Sequence, residues 1–192
     1  MRFPRFESSD PKGGHTLWLA RKIMQLELDI AELSVSMGVP LAGLTIYRND
    51  WTAAIQAVPQ VNRWGGRRWH PTIHLGDGLL TSLTSAELKA VVAHELSHLK
   101  RGDCVRSVRE MIVAIMPRPI SYVHAWFKRR AEMQCDDYAT NFVSAYDLAC
   151  ALRKMRTMPP VVDGGGLLCH HPSFDTRLKA LDSKTIEQAK IQ

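Results

Sequence analysis

Leu83-Thr84-Ser85-Ala86-Glu87-Leu88-Lys89-Ala90-Val91-Val92-Ala93-His94-Glu95-Leu96-Ser97-His98 is the stretch that decides how this chain is read. Thr84, with Glu87 three residues later, forms a capping box, and Leu88, Val91, Val92 and Leu96 follow at helical spacing. A helix therefore starts near Thr84, and Gly102 is placed to end it. Residues four apart lie one turn above each other, so His94 and His98 present both imidazoles to one side and can grip a single metal ion. Glu95 flanks that ion. Zinc held in this way keeps a position for water, lowers the pKa of that water and leaves a nearby carboxylate to take its proton. A satisfied pair of core histidines is the plainer alternative, so the rest of the chain has to decide.

With 192 residues, 45% of them hydrophobic, the chain can build one well-cored domain and is too short for two large ones. The expected division is a loosely ordered N-terminus over 1–14 and a single domain over 15–192. That domain would hold an N-terminal amphipathic helix over 15–38 and a catalytic core over 44–181. Leu19, Ile23, Leu26, Ile30, Leu33 and Met37 recur at steps of four and three, and Gly38 and Pro40 close the run. Packing against the core, or a coiled-coil partner, could use that stripe.

Short β-type segments follow at Leu44 to Arg48, Thr52 to Val58 and Thr72 to Leu75, which imply a small antiparallel sheet. Thr72 to Leu75 would offer an edge strand to an extended ligand. Further helices are expected from Asp103 to Met116, from about Ser121 after Pro117 and Pro119, and up to Met155 behind an Asp147 cap. The fold class is therefore α+β, mostly helical, with a small antiparallel sheet and the His94–His98 helix at its centre.

Met1-Arg2-Phe3-Pro4-Arg5-Phe6 opens no apolar stretch that could serve as a secretory signal. Cys104, Cys135, Cys150 and Cys169 are widely spaced with no CxxC pair, which favours reduced thiols in a cytoplasmic setting and argues against a zinc site made of cysteines. Arg106, Arg109, Glu110 and Arg118 interrupt every window around Met111 to Met116, so no transmembrane segment is expected, while a peripheral position at a membrane stays open. The net charge of +6 favours acidic partners or anionic surfaces. Arg63-Trp64-Gly65-Gly66-Arg67-Arg68-Trp69, read as a loop, and Lys128-Arg129-Arg130, on a helix, could each contact nucleic acid or lipid headgroups. Solvated faces are the plainer reading of both.

A catalytic zinc takes three protein ligands, so a further carboxylate or histidine is needed. Glu132 on the long helix fits, with Asp136 one turn along the same face and able to orient a ligand from behind. The competing reading is that Glu132 only neutralises Arg129 or Lys128.

At this point the chain resembles the HtpX-like and CAAX-prenyl-protease-type zinc metallopeptidases, gluzincins of peptidase family M forty-eight. Gly78-Leu79-Leu80, Leu83-Thr84, Glu87-Leu88 and His94 to His98 with Asp103 look like that family's run into and out of its zinc helix. Glu132 to Asp136 looks like its ExxAD motif, with Cys135 where alanine is usual, and His171-Pro172 followed by Arg177 and Leu181 is similar to its C-terminal signature. Well-known members carry transmembrane helices, and this chain looks like a compact member without them. Trp51-Thr52-Ala53-Ala54 replaces the asparagine-alanine motif common on an early strand.

The resemblance implies a zinc-dependent metalloendopeptidase acting on a polypeptide substrate. His94, His98 and Glu132 would bind one zinc ion, and Glu95 would serve as general base. His171 and Arg177 would assist catalysis, His171 at the oxyanion and Arg177 by fixing Glu132, Asp136 or His171. Asp136 and Asp103 would stand behind the ligands, with helix capping as the alternative for Asp103. Two other readings are a regulatory peptidase with one dedicated target and a non-catalytic module that binds zinc, nucleic acid or a lipid surface.

Overall fold

The computed structural model describes residues 14–47, 50, 52–61, 67–102, 118–158 and 172–191. Within them the order is α1 (Gly14–Met37), β1 (Gly43–Tyr47), β2 (Ala53–Val61), β3 (Arg67–Gly76), α2 (Asp77–Ser82), α3 (Ser85–Arg101), α4 (Arg118–Ala139), α5 (Ala145–Met155) and α6 (Phe174–Ile191). The expected helix over Asp103 to Met116 lies outside the described residues, as does the expected loose segment over 1–14 except for Gly14, which opens α1.

The apolar stripe of α1 packs inward. Leu26, Ile30, Leu33 and Met37 are buried, and Leu19 and Ile23 are partly so. Gly38, at φ 62°, turns the chain out of the helix in the left-handed region that glycine adopts without a Cβ clash. The same core takes in Ile73 and Leu75 of β3, Leu88, Val92 and Leu96 of α3, Leu148 and Leu152 of α5, and Leu181 of α6.

The small sheet is present, but it is mixed, not antiparallel. β2 pairs antiparallel with β3 from Ala53↔Leu75 to Val61↔Arg67, whereas β1 pairs parallel with β3 from Gly43↔Thr72 to Tyr47↔Gly76. The strand order is β1-β3-β2, so β3 is central and cannot serve as the edge expected of Thr72 to Leu75. Alternating residues identify a strand but carry no information on its partner or direction, which is why both points escaped the sequence. Pro59 agrees with an outer position for β2, because proline cannot donate to a ladder on both sides. Arg67, Arg68 and Trp69 belong to β3 instead of a loop, while 62–66 lie outside the described residues.

α2 was not anticipated. Gly76 offers no side-chain cap, yet Leu79 and Leu80 are fully buried, so tertiary packing holds this short turn of helix. α3 forms as its sequence dictates. Glu87 N donates to Thr84 Oγ1 at 3.2 Å, Thr84 N donates to Glu87 Oε2 at 2.7 Å, and Gly102 at φ 76° ends the helix. Lys154 Nζ also donates to Glu87 Oε2, at 2.7 Å, tying α5 to this start.

α4 starts at Arg118, earlier than expected, since Pro119 falls in the first turn, where a missing N–H costs nothing. α5 is capped by Ser144, with Asp147 in its first turn instead of at the cap. In α6, Ser173 Oγ accepts from Thr176 N at 3.2 Å, which sets Arg177 one turn into the helix. Among the described residues, no helix is long and apolar enough to cross a membrane.

Candidate metal centre

His94 lies in the interior of α3 and His98 in its last turn, and Glu132 comes from the middle of α4. His94 Nε2 and His98 Nε2 are 3.2 Å apart. Glu132 reaches both, Oε2 at 3.4 Å from His94 Nε2 and Oε1 at 3.4 Å from His98 Nε2. Donors about 2.0–2.1 Å from a tetrahedral cation lie about 3.3 Å from one another. The two nitrogens, and the carboxylate oxygen that each of them faces, therefore stand at the separations of ligands around one ion. Among the described residues these are the side chains that meet as a group able to hold a metal.

Asp136, one turn along α4 from Glu132, fixes the other nitrogen of His94. Its Oδ1 lies 2.8 Å from Nδ1, which assigns the Nδ1 proton to that bond and leaves Nε2 free to point its lone pair at an ion. Arg177 grips the same carboxylate at two points, Nε to Oδ2 at 2.7 Å and Nη2 to Oδ1 at 2.6 Å, with Nη1 3.9 Å from Glu132 Oε2. Glu95 is 9% exposed, next to this cluster in sequence.

Charge in this pocket is strongly coupled. Burial opposes a charged imidazole at His94, but the Asp136 carboxylate, helped by Glu132, overrides it and pushes the pKa from 6.5 up to about 10. At Asp136, burial resists ionisation, yet His94 and Arg177 hold the carboxyl below its ordinary range. The Arg177 guanidinium resists burial in turn and is kept charged by Asp136, Glu132 and Glu95. A site that retains an extra proton on a buried histidine is one that favours a cation. A divalent ion can take the place of that proton, so the donor set fits a metal in charge as well as in dimensions.

Cys135, which stands where the family motif usually has alanine, also reaches the site. Its Sγ lies 3.4 Å from His98 Nδ1, behind the second histidine as Asp136 lies behind the first. The spacing of Glu132, Cys135 and Asp136, at i, i+3 and i+4 on one helix, is the signal that could have found it. Asp103 and His171 lie outside the described residues.

Comparison with known proteins agrees with this geometry. The family described as Peptidase family M48 matches residues 24–122, more than half of the chain. The chain belongs to this peptidase family. Protease HtpX of Photorhabdus laumondii is 24% identical over 163 residues, covering 60% of this chain and 55% of that protein. A Protease HtpX homolog of Neisseria meningitidis serogroup C is 26% identical over 181 residues, covering 68% and 65% respectively. The chain thus spans about 55–65% of the length of these relatives. The crystal structure of S. mikatae Ste24p matches with a TM-score of 0.59 at 18% identity, over 82% of this chain and 50% of that one, a likeness of fold. The family match ends at residue 122, so Glu132, Asp136 and Arg177 take their place in the site from the geometry.

Proposed function

We propose that the chain is a zinc-dependent endopeptidase that hydrolyses peptide bonds of a polypeptide substrate. The observation that carries this reading is the meeting of His94 Nε2, His98 Nε2 and the Glu132 carboxylate within reach of one ion, in a chain of this peptidase family. Zinc bound there supplies acidification of a water and polarisation of the substrate carbonyl.

The chain's own groups do the rest. Nε2 of His94, Nε2 of His98 and the Glu132 carboxylate bind the ion. Glu95 accepts a proton from the attacking water on its carboxylate and returns it to the leaving amine. Arg177 is a positioning residue, holding Asp136 against His94 Nδ1 so that the ligand nitrogen stays aimed. By the family resemblance, His171 would donate the hydrogen bond to the developing oxyanion and Asp103 would support a ligand or cap a helix. With β3 central, the strand that an extended substrate would join is β2, an outer strand that also contacts α3.

The test combines metal analysis of the purified chain with hydrolysis of an unfolded casein-type substrate, with and without chelator, in wild type and Glu95→Gln. The expected result is one zinc per chain in both proteins and turnover in the wild type alone. Turnover by Glu95→Gln, or a wild type that takes up no zinc, overturns the reading.

A further inference from the structure

The two histidines of the site are held from behind by different chemistry. His94 Nδ1 meets the charged carboxylate of Asp136 at 2.8 Å, whereas His98 Nδ1 meets the thiol sulfur of Cys135 at 3.4 Å. Cys135 is fully buried, and it shares one face of α4 with Glu132 and Asp136. His98 Nε2 faces Glu132 Oε1, so once that nitrogen gives its lone pair to an ion the ring proton must sit on Nδ1, directed at sulfur. A thiol sulfur accepts a hydrogen bond weakly, but 3.4 Å is a normal length for one.

We propose that Cys135 is a positioning residue for the metal centre, its Sγ accepting from His98 Nδ1–H and thereby fixing the tautomer and tilt of that ligand. The inference rests on the proposed metal-binding role of His98. It makes the centre asymmetric: one imidazole is locked by a charged carboxylate, the other by a neutral, polarisable sulfur.

The test measures zinc affinity by competition with a chromophoric chelator in wild type, Cys135→Ala and Cys135→Ser, with Cys150→Ser as a control thiol on α5. Loss of the acceptor in Cys135→Ala should weaken zinc binding by about tenfold, while the serine oxygen should bring affinity back to within about threefold of wild type. If Cys135 only fills space in the core, the order reverses, because alanine suits an apolar site better than serine does. Unchanged affinity in Cys135→Ala, or serine no better than alanine, overturns the proposal and leaves zinc binding by the wild type intact. Nitrogen-15 histidine spectra of the zinc-loaded wild type give a measurement that needs no variant. His98 should show a protonated Nδ1 whose exchange with water is slow, and a bare Nδ1 overturns the proposal. A wild type that binds no zinc overturns both this inference and the endopeptidase reading.

Discussion

Arg177 and Asp136, 41 residues apart, form a two-point ion pair with contacts of 2.7 and 2.6 Å, and the same carboxylate turns to His94 at 2.8 Å. One carboxylate thus joins α6 to α3 through α4. Both side chains are nearly buried, at 11% and 3% exposure, so each charge depends on the other.

Arg177→Ala should destabilise the fold by about 3 kcal/mol, since removing one partner of a buried pair leaves the other charge uncompensated. Arg177→Lys keeps the charge but loses the fork and should recover only part of that loss. Urea denaturation of the metal-free proteins measures both, and a midpoint unchanged by Arg177→Ala would contradict the pairing.

Asp136→Asn should lower zinc affinity by about 10- to 100-fold, because the amide cannot match a carboxylate as acceptor for His94 Nδ1–H. Chelator competition reads the change directly. Glu132→Ala should do more, abolishing stoichiometric binding by removing a corner of the donor triangle.

The raised pKa of His94 has a definite sign for the metal-free protein. Its folded value, about 10, lies above the ordinary 6.5, so its stabilising contribution is complete below about pH 6.5 and is lost as pH rises toward 10. Chelator-treated protein should therefore unfold more easily as pH is raised across that interval, and zinc should reverse the trend. Zinc uptake near neutral pH should also release a proton from His94, measurable by calorimetry in buffers of differing ionisation enthalpy.

Thr84→Ala should cost about 1 kcal/mol by breaking the capping box, with zinc stoichiometry unaltered, because the cap lies about three turns before His94. Thermal unfolding paired with metal analysis separates the two readouts.

What could be read from the chain follows the range of the forces involved. The limits of α3 were legible because Thr84, Glu87 and Gly102 act on backbone within a turn of themselves. Helical spacing shows that Glu132 and Asp136 share one face, whereas the meeting of that face with His94 and His98 was implied only by the resemblance of Glu132 to Asp136 to the family motif. The parallel pairing of β1 with β3 was not, since register and direction are set by contacts between distant segments. α2 carried no cap for a reader to find, and Pro119 reads as a stop unless the helix is known to begin beside it. The approach of Cys135 to His98 crosses 37 residues and emerges only when α3 and α4 are packed together.

That packing has a consequence for how the chain holds together. α3 supplies both imidazoles, α4 the carboxylates and the thiol, and α6 the guanidinium, and the contact of Arg177 with His94 spans 83 residues of chain. An ion held by His94, His98 and Glu132 would pin α3 to α4 as a reversible cross-link closing the chain between them, and chelation would reopen it. Amide exchange in α4 and α6 should quicken together when the ion is withdrawn, while the capped start of α3 stays protected. Metal supply would then govern how long the folded chain survives proteolysis.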